Sequence, residues 1–406
     1  MIYVTDKKIS GIFEDYLQKT PLFLNKGVLQ CNHTPDAIPH REEQLKTIAQ
    51  ILAPSLRMNK PSNLFLYGKT GTGKTLSVLY TVENLKKVAE QQNVPLKILY
   101  VNCKLKKVAD TEYRLIAQLA KDLGKAIPVT GLPTGEVYQI FYSALEKEKQ
   151  LLIIVLDEID QLVKKVGDEI LYNLTRINSE LKNSQLSIIG ISNDLIFADN
   201  LDPRVKSSLS EEEILFPPYN AVQIKDILLN RCSIAFDDGV LCEGVIEKCA
   251  AYTAREHGDA RRALELMRVA GELAERNGEE KVELKHLDEA EEKIEKERVV
   301  DIIIAQPKQF QITFYSIIKA SENNANLSVT GEIYDLYKSI CQKTGLRPLT
   351  QRRVSDIVAE LDMLGMINTR VMSKGRYGRT REMSIAVSKA LIPKITDIIE
   401  KDLDLK

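Results

Sequence analysis

Lys74 and Thr75 are the residues of this chain best placed to do chemistry. They close the run Gly68, Lys69, Thr70, Gly71, Thr72, Gly73, Lys74, Thr75, which fits the spacing G-x-x-x-x-G-K-[ST]. Glycines at those positions let the backbone wrap a phosphate chain with its N–H groups pointing inward. The lysine then reaches the β- and γ-phosphates, and the threonine hydroxyl meets Mg²⁺. The chemistry implied is binding of ATP or ADP with Mg²⁺. In "IIVLDEID" an apolar run delivers Asp157 and Glu158 at its end. Asp157 suits the metal beside Thr75, and Glu158 suits a general base on an attacking water. The two motifs together point to hydrolysis rather than binding alone.

Asn193, at the end of "GISND", can orient a water near the γ-phosphate. Arg204, in the polar turn "LDPRVKSSL", can reach a neighbouring subunit's nucleotide.

Elements of a particular kind must hold these groups. Short runs rich in Ile, Leu and Val at 63–68, 97–103, 151–158 and 186–192 alternate with helical patterns. Strands of that composition are buried on both faces, so residues 1–215 read as an α/β domain built on a parallel sheet. Residues 216–300 lose the strand signal and read as a helical domain. Beyond them, "FQITFYSIIKAS", "TGEIYDLYKSICQKTG" and "LTQRRVSDIVAELDMLGMI" read as amphipathic helices. "NTRVMSKGRYGRTREMSIAV" follows as two strand arms around a basic turn. Residues 301–406 therefore read as a winged helix.

The composition excludes several classes. The chain has 406 residues, 44% apolar and 28% charged, enough to bury cores under a solvated surface. Its six cysteines show no C-x-x-C pair, and no apolar run approaches the roughly 18 residues of a membrane span. Reduced thiols and a cytoplasmic location with no membrane contact follow as expectations. The net charge of −1 hides a local excess. Between Lys343 and Arg381 nine basic residues face three acidic ones. Thr350, Gln351, Arg352, Arg353 and Ser355 open the third helix of the winged segment, and Lys374, Arg376 and Arg379 crowd the wing tip. Side chains at those places reach base edges and phosphates of duplex DNA.

Taken together, "GKTGTGKT", "VLDEID", "GISND", "DPRVKSSL" and "HGDARRALELMRVAG", followed by a winged helix, resemble the archaeal DNA replication initiators. These are AAA+ relatives of the eukaryotic origin recognition complex and of its cell-division-cycle helicase-loading partner. The resemblance implies an AAA+ base domain over 1–215, a helical lid over 216–300 and a winged-helix DNA-binding domain over 301–406. It matches Asn193 to sensor 1, Arg204 to the arginine finger, Arg261 to the sensor 2 residue of the lid, and His40 and Arg41 to an N-terminal box beside the adenine. It implies a DNA-touching insertion within residues 105–145. It further implies a slow, switch-like ATPase, duplex origin DNA as ligand, and paralogous initiators and the replicative helicase as partners. The protein would be a monomer when free, an oligomer on DNA and nucleoid-associated. A paralogous transcriptional or damage-response regulator shares every motif. A signalling NTPase of the STAND type shares the nucleotide-binding domain and winged helix but lacks reason for the "DPRVKSSL" and "GDARR" boxes.

Overall fold

A computed structural model describes residues 21–30, 33–35, 37–104, 109–128, 131–209, 211–256, 258–323, 328–373, 379–387, 391–403 and 405. The chain forms two compact units, Met1–Leu287 and Asp288–Lys406.

In the first unit, helix α1 (Glu42–Leu52) precedes strand β1 (Asn63–Tyr67), helix α2 (Lys74–Gln91) and strand β2 (Leu96–Asn102). Helices α3 (Glu112–Asp122) and α4 (Thr134–Leu145) lead to β3 (Leu151–Asp157), then α5 (Ile159–Val166) and α6 (Glu169–Arg176). After β4 (Gln185–Ser192) come α7 (Pro203–Leu209) and β5 (Glu211–Leu215). Helices α8 (Ala221–Ala235), α9 (Val245–Glu256) and α10 (Ala260–Asn277) form the helical part; of α11 (Leu284–Ala305) only the first turn belongs to this unit and the rest to the second.

The strands run parallel in the order β2-β3-β4-β1-β5. Strand β3 shows why. Its residues Leu151 to Leu156 are all buried, with Leu151, Ile153 and Val155 in one apolar cluster and Leu152, Ile154 and Leu156 in another. The first cluster includes Ile48 and Leu52 of α1 and Val78 and Val82 of α2. The second gathers Leu115 and Leu119 of α3, Phe141 of α4 and Leu171 of α6. A strand apolar on both faces is stable only between two helical layers.

Strand β5 was not legible in the sequence, because Glu211, Glu212 and Glu213 read as a polar turn. It lies at the sheet edge and pairs with β1. There the charges stay in solvent while Ile214 is buried, and charged edges discourage further strand addition.

Register sets the functional edge. Tyr67, last in β1, lies opposite Ser192, last in β4, and Asp157, last in β3, lies opposite Ile191. The carboxyl ends of three neighbouring strands are therefore level, at the edge where open parallel sheets bind ligands. Helix α8 starts with a reciprocal cap between Asn220 and Gln223, and α10 starts on Asp259, which accepts from the N–H groups of Arg261 and Arg262.

The second unit contains α12 (Lys308–Asn323), β6 (Ser328–Val329), α13 (Thr330–Lys343), α14 (Gln351–Met363), β7 (Ile367–Ser373), β8 (Arg379–Ile385) and α15 (Ile392–Asp402). Its antiparallel sheet runs β6-β8-β7, and with three helices before the β7–β8 hairpin this is a winged helix. Val354, Ile357, Val358 and Leu361 turn one face of α14 into the core and leave Gln351, Arg352 and Arg353 exposed. The two-residue β6 and the terminal α15, anchored by buried Ile395 and Ile399, were not read from the sequence. No helix among the described residues is long and apolar enough to cross a membrane. Cys103, Cys232, Cys242, Cys249 and Cys341 are free thiols, and Cys31 lies outside the described residues.

Candidate functional site

The loop from Gly68 to Thr75 leaves β1 and turns straight into α2, and two glycines make the turn possible. Gly73 holds φ 89° at the helix cap, and a Cβ there would sit 2.8 Å from the Tyr219 hydroxyl. Gly71 holds φ 70°, and a Cβ there would run into the Asp259 carboxylate. L-side chains are disfavoured at both angles. Thr72 ties the loop by donating to Lys69 O at 2.9 Å, while Lys69 and Thr70 remain exposed.

Lys74 is 5% exposed. Its Nζ donates to Gly68 O at 2.6 Å, Lys69 O at 2.7 Å and Asn193 Oδ1 at 3.0 Å. Burial, and then the Arg261 charge, push its pKa down to about 8. All of these hydrogen-bond acceptors are neutral, and the more distant carboxylates of Asp157, Asp160 and Asp259 offset the burial of the ammonium only in part. Such a site favours a polyanion.

Thr75 Oγ1 lies 3.3 and 3.2 Å from the Asp157 oxygens. Mg²⁺ takes most of its ligands from water and phosphate and one or two from protein oxygens. Thr75 and Asp157 are placed to supply such a pair. Two further donors fix the carboxylate: Glu158 N at 3.0 Å and the Tyr100 hydroxyl at 2.7 Å. Tyr100 escaped the sequence reading, since a tyrosine near the end of a strand looks like ordinary β composition. Glu158 itself holds φ 55°, ψ 47° in the left-handed region, uncommon for a residue with a Cβ, and its carboxylate lies 3.8 Å from Lys104 Nζ. Retained backbone strain of that kind concentrates at functional positions.

A cavity of about 750 Å³ opens from this loop and is lined by Gly71, Gly73, Thr75, Ile38, Arg231 and Arg261, among others. Its volume lies in the range, roughly 300–1,000 Å³, of small-molecule clefts. Arg261 reaches it from the first turn of α10, whose N-terminus meets the loop where Ala260 N donates to Gly71 O at 3.3 Å. Among the described residues Arg261 makes no ion pair with Asp259 or Glu265; Asp259 spends its carboxylate on the helix cap.

His40 and Arg41 do not line the cavity. Arg41 is buried, stacked 3.9 Å from the Tyr219 ring, with Nε donating to Thr72 O at 3.0 Å and Nη2 to Pro217 O at 2.6 Å. It staples the phosphate loop to the start of the helical part from below. His40 Nε2 lies 3.0 Å from Asp226 of α8. Arg204 is also remote from the cavity: it is 83% exposed and paired with Asp202 through two contacts of 3.1 and 3.2 Å. Residues 105–145, the expected insertion, contain α3 and α4, whose apolar faces lie in the core.

In the second unit Thr350 caps α14 by accepting from Arg353 N, and Ser355 donates to Gln351 O. Gln351, Arg352 and Arg353 project from the exposed first turn, with Arg353 3.6 Å from Asp356. Lys374 and Arg376 lie outside the described residues, and Arg379 is placed only through its backbone in β8.

Comparison with known proteins covers both units. A family model described as AAA domain matches residues 57–195, a Cdc6 AAA+ ATPase-type lid domain matches 225–292, and a CDC6 C-terminal winged helix domain matches 301–394. An ORC1-type DNA replication protein of Thermococcus onnurineus is 50% identical over 394 residues, 96% of this chain and 94% of that protein. One of Pyrococcus abyssi is 52% identical over 384 residues, 94% of this chain and 91% of that protein. The chain belongs to the ORC1-type DNA replication protein family.

The structure agrees with that membership. The Aeropyrum pernix ORC1 protein, solved in complex with DNA, is 44% identical with a TM-score of 0.83, covering 95% of this chain and 98% of that one. The Aeropyrum pernix ORC2 protein, at 19% identity and TM-score 0.60 over 95% and 100% of the two chains, shares the fold. The resemblance read from the sequence is thus the family, and an ORC1-type chain with an AAA+ domain, Cdc6-type lid and winged helix is a replication protein rather than a STAND-type signalling NTPase.

Proposed function

We propose that this ORC1-type chain binds ATP with Mg²⁺, hydrolyses it slowly as a switch, and binds duplex origin DNA to help recruit the replicative helicase. The observation that carries the nucleotide half is Lys74: a buried cation with neutral partners at the level edge of three strands, beneath the N-terminus of a lid helix. In this reading residues 1–215 are the ATPase base, 216–300 the lid and 301–406 the DNA-binding domain.

Each residue has a role its position suits. Main-chain amides of Gly71 to Thr75 and Lys74 Nζ hold the phosphates, and Thr75 and Asp157 would hold a Mg²⁺ ion, which would supply neutralisation of phosphate charge there. Glu158 takes a proton from the water that Asn193 orients. Arg261, on the lid, draws α10 toward the terminal phosphate, so lid posture follows nucleotide state. Arg204, exposed and remote from its own cavity, serves a neighbouring subunit on DNA. Gln351, Arg352 and Arg353 contact the duplex with Thr350, Ser355, Lys374, Arg376 and Arg379 around them. The Aeropyrum pernix ORC1 protein solved with DNA, at 44% identity, supports this half. Paralogous initiators and the helicase are the partners, in the cytoplasm at the nucleoid.

Glu158→Gln is the direct test of the switch: it should bind ATP normally and hydrolyse it at least about a hundredfold more slowly. Undiminished turnover would move the base elsewhere. Mapping of bound sites in cells tests the DNA half, with occupancy at replication origins expected. Occupancy confined to promoters would make the chain a regulatory paralogue instead.

A further inference from the structure

The chain enters α14 through a loop whose backbone is held by side chains. Past the end of α13, Gly345 holds φ 68° and turns the chain, and Leu346 N donates back to Cys341 O at 3.0 Å. Leu349 then lies directly before Thr350, the cap of α14. Both main-chain groups of Leu349 are taken: its N–H donates to the Tyr337 hydroxyl at 2.9 Å, and its carbonyl accepts from the Tyr334 hydroxyl at 3.0 Å. The Tyr337 hydroxyl in turn donates to Gln309 Oε1, and Gln309 Nε2 donates to Arg347 O at 3.0 Å.

Tyr334 and Tyr337 stand three residues apart on α13 and so share a face, with their rings stacked at 6.0 Å. Tyr337 is fully buried, and Leu346 and Leu349 of the loop pack against the same core. Apolar packing alone would hold those leucines in more than one way. A polar network with every member satisfied specifies a single arrangement. Here the Gln309 amide accepts on one side and donates on the other, so only one setting of the loop serves both contacts. The loop groups so held, Arg347 O and both groups of Leu349, lie immediately ahead of the exposed Gln351, Arg352 and Arg353.

We propose that Tyr334, Tyr337 and Gln309 are positioning residues that fix the axial and rotational setting of the first turn of α14, and so decide which base edges Gln351, Arg352 and Arg353 meet. The proposal rests on the duplex-binding reading above and assigns part of the sequence discrimination to residues of two other helices. Base-edge hydrogen bonds fail when a donor moves by a fraction of an ångström, whereas long basic side chains follow phosphates through a small shift.

The test uses the full chain and two duplexes of equal length, one recovered by repeated selection of a random-sequence pool on wild type, the other a scrambled copy of it. Wild type, Tyr337→Phe, Tyr334→Phe and Ile340→Val, the last a core change on the same helix, are titrated on both across a salt series, with the binding-competent fraction of each set by stoichiometric titration. Tyr337→Phe should lose roughly tenfold in preference for the selected duplex, about what one base contact supplies, and keep its affinity and salt slope on the scrambled one. Tyr334→Phe should lose about threefold in the same sense and decides the matter where Tyr337→Phe does not fold. Ile340→Val should melt lower than wild type and keep the preference. Equal losses on both duplexes, an unchanged preference in the tyrosine variants, or an equal loss of preference in Ile340→Val would reduce the network to packing and overturn the proposal. Wild type that binds every sequence alike would also overturn it while leaving duplex binding in place, whereas wild type that binds no duplex would sink the DNA reading itself and the proposal with it.

Discussion

Lys74 and Asn193, 119 residues apart in sequence, meet at 3.0 Å, the lysine ammonium donating to the amide oxygen. The contact exists because β1 and β4 are neighbours in the sheet although two other strands separate them in the chain. It joins the group proposed to hold phosphates to the group proposed to orient the water.

The two residues should separate cleanly in experiment. Lys74→Ala removes the buried cation and should weaken nucleotide binding by about a hundredfold or more. Asn193→Ala should leave affinity within about threefold and slow single-turnover hydrolysis at least about tenfold, as loss of an oriented polar group does. Calorimetric titration and quenched-flow assays read the two effects. Normal nucleotide retention by Lys74→Ala would remove the phosphate-loop assignment.

Tyr100 donates its hydroxyl to the Asp157 carboxylate at 2.7 Å and is not itself among the residues that line the cavity. Loss of an outer partner of a metal-binding carboxylate typically costs about ten- to a hundredfold in metal affinity. Tyr100→Phe should therefore raise the Mg²⁺ concentration needed for half-maximal hydrolysis roughly tenfold and leave metal-free ADP affinity unchanged. An unaltered Mg²⁺ requirement would make the tyrosine a packing residue only.

Arg352 and Arg353 are exposed at the start of α14. Each phosphate contact contributes about 0.9 to the slope of log affinity against log salt concentration. Arg352→Ala combined with Arg353→Ala should lower that slope by about 2 on duplex DNA. Filter binding across a salt series measures it, and a slope equal to wild type would mean that the winged helix meets something other than a duplex.

Glu146 supports the base of the sheet, accepting from the backbone N–H groups of Lys182, Asn183 and Ser184 at 2.9–3.2 Å just before β4. Burial pushes its pKa up, but the three backbone donors outweigh that and hold it below 4.5. A carboxyl lowered in the folded state contributes its stability above the ordinary value and loses it as pH falls below that value. Glu146→Gln should cost about 1 kcal/mol at pH 7. The gap from wild type should close in acid; denaturant melts at pH 7 and pH 3 with the same gap would refute the assignment.

The phosphate loop, the Asp157–Glu158 pair and four of the five sheet strands were legible because each is a local pattern: a run of apolar residues, then turn residues of fixed type. The winged helix was legible for the same reason, through helical spacing and a basic hairpin. What failed to show were features whose meaning depends on a neighbour. Strand β5 reads as acid until β1 lies beside it, and Tyr100 reads as strand composition until Asp157 lies under its hydroxyl.

The sequence alone therefore determined which groups are proposed to bind phosphate and metal, since a contiguous loop carries most of its own geometry. Tertiary structure decided what those groups touch. The strand order β2-β3-β4-β1-β5 brings Asp157, Asn193 and Lys74 to one edge, and the fold-back of the helical part sets Asp259 against Gly71 and stacks Arg41 on Tyr219. The reason is that a parallel sheet places side by side strands that are distant in the chain, and no local spacing records which strand becomes whose neighbour.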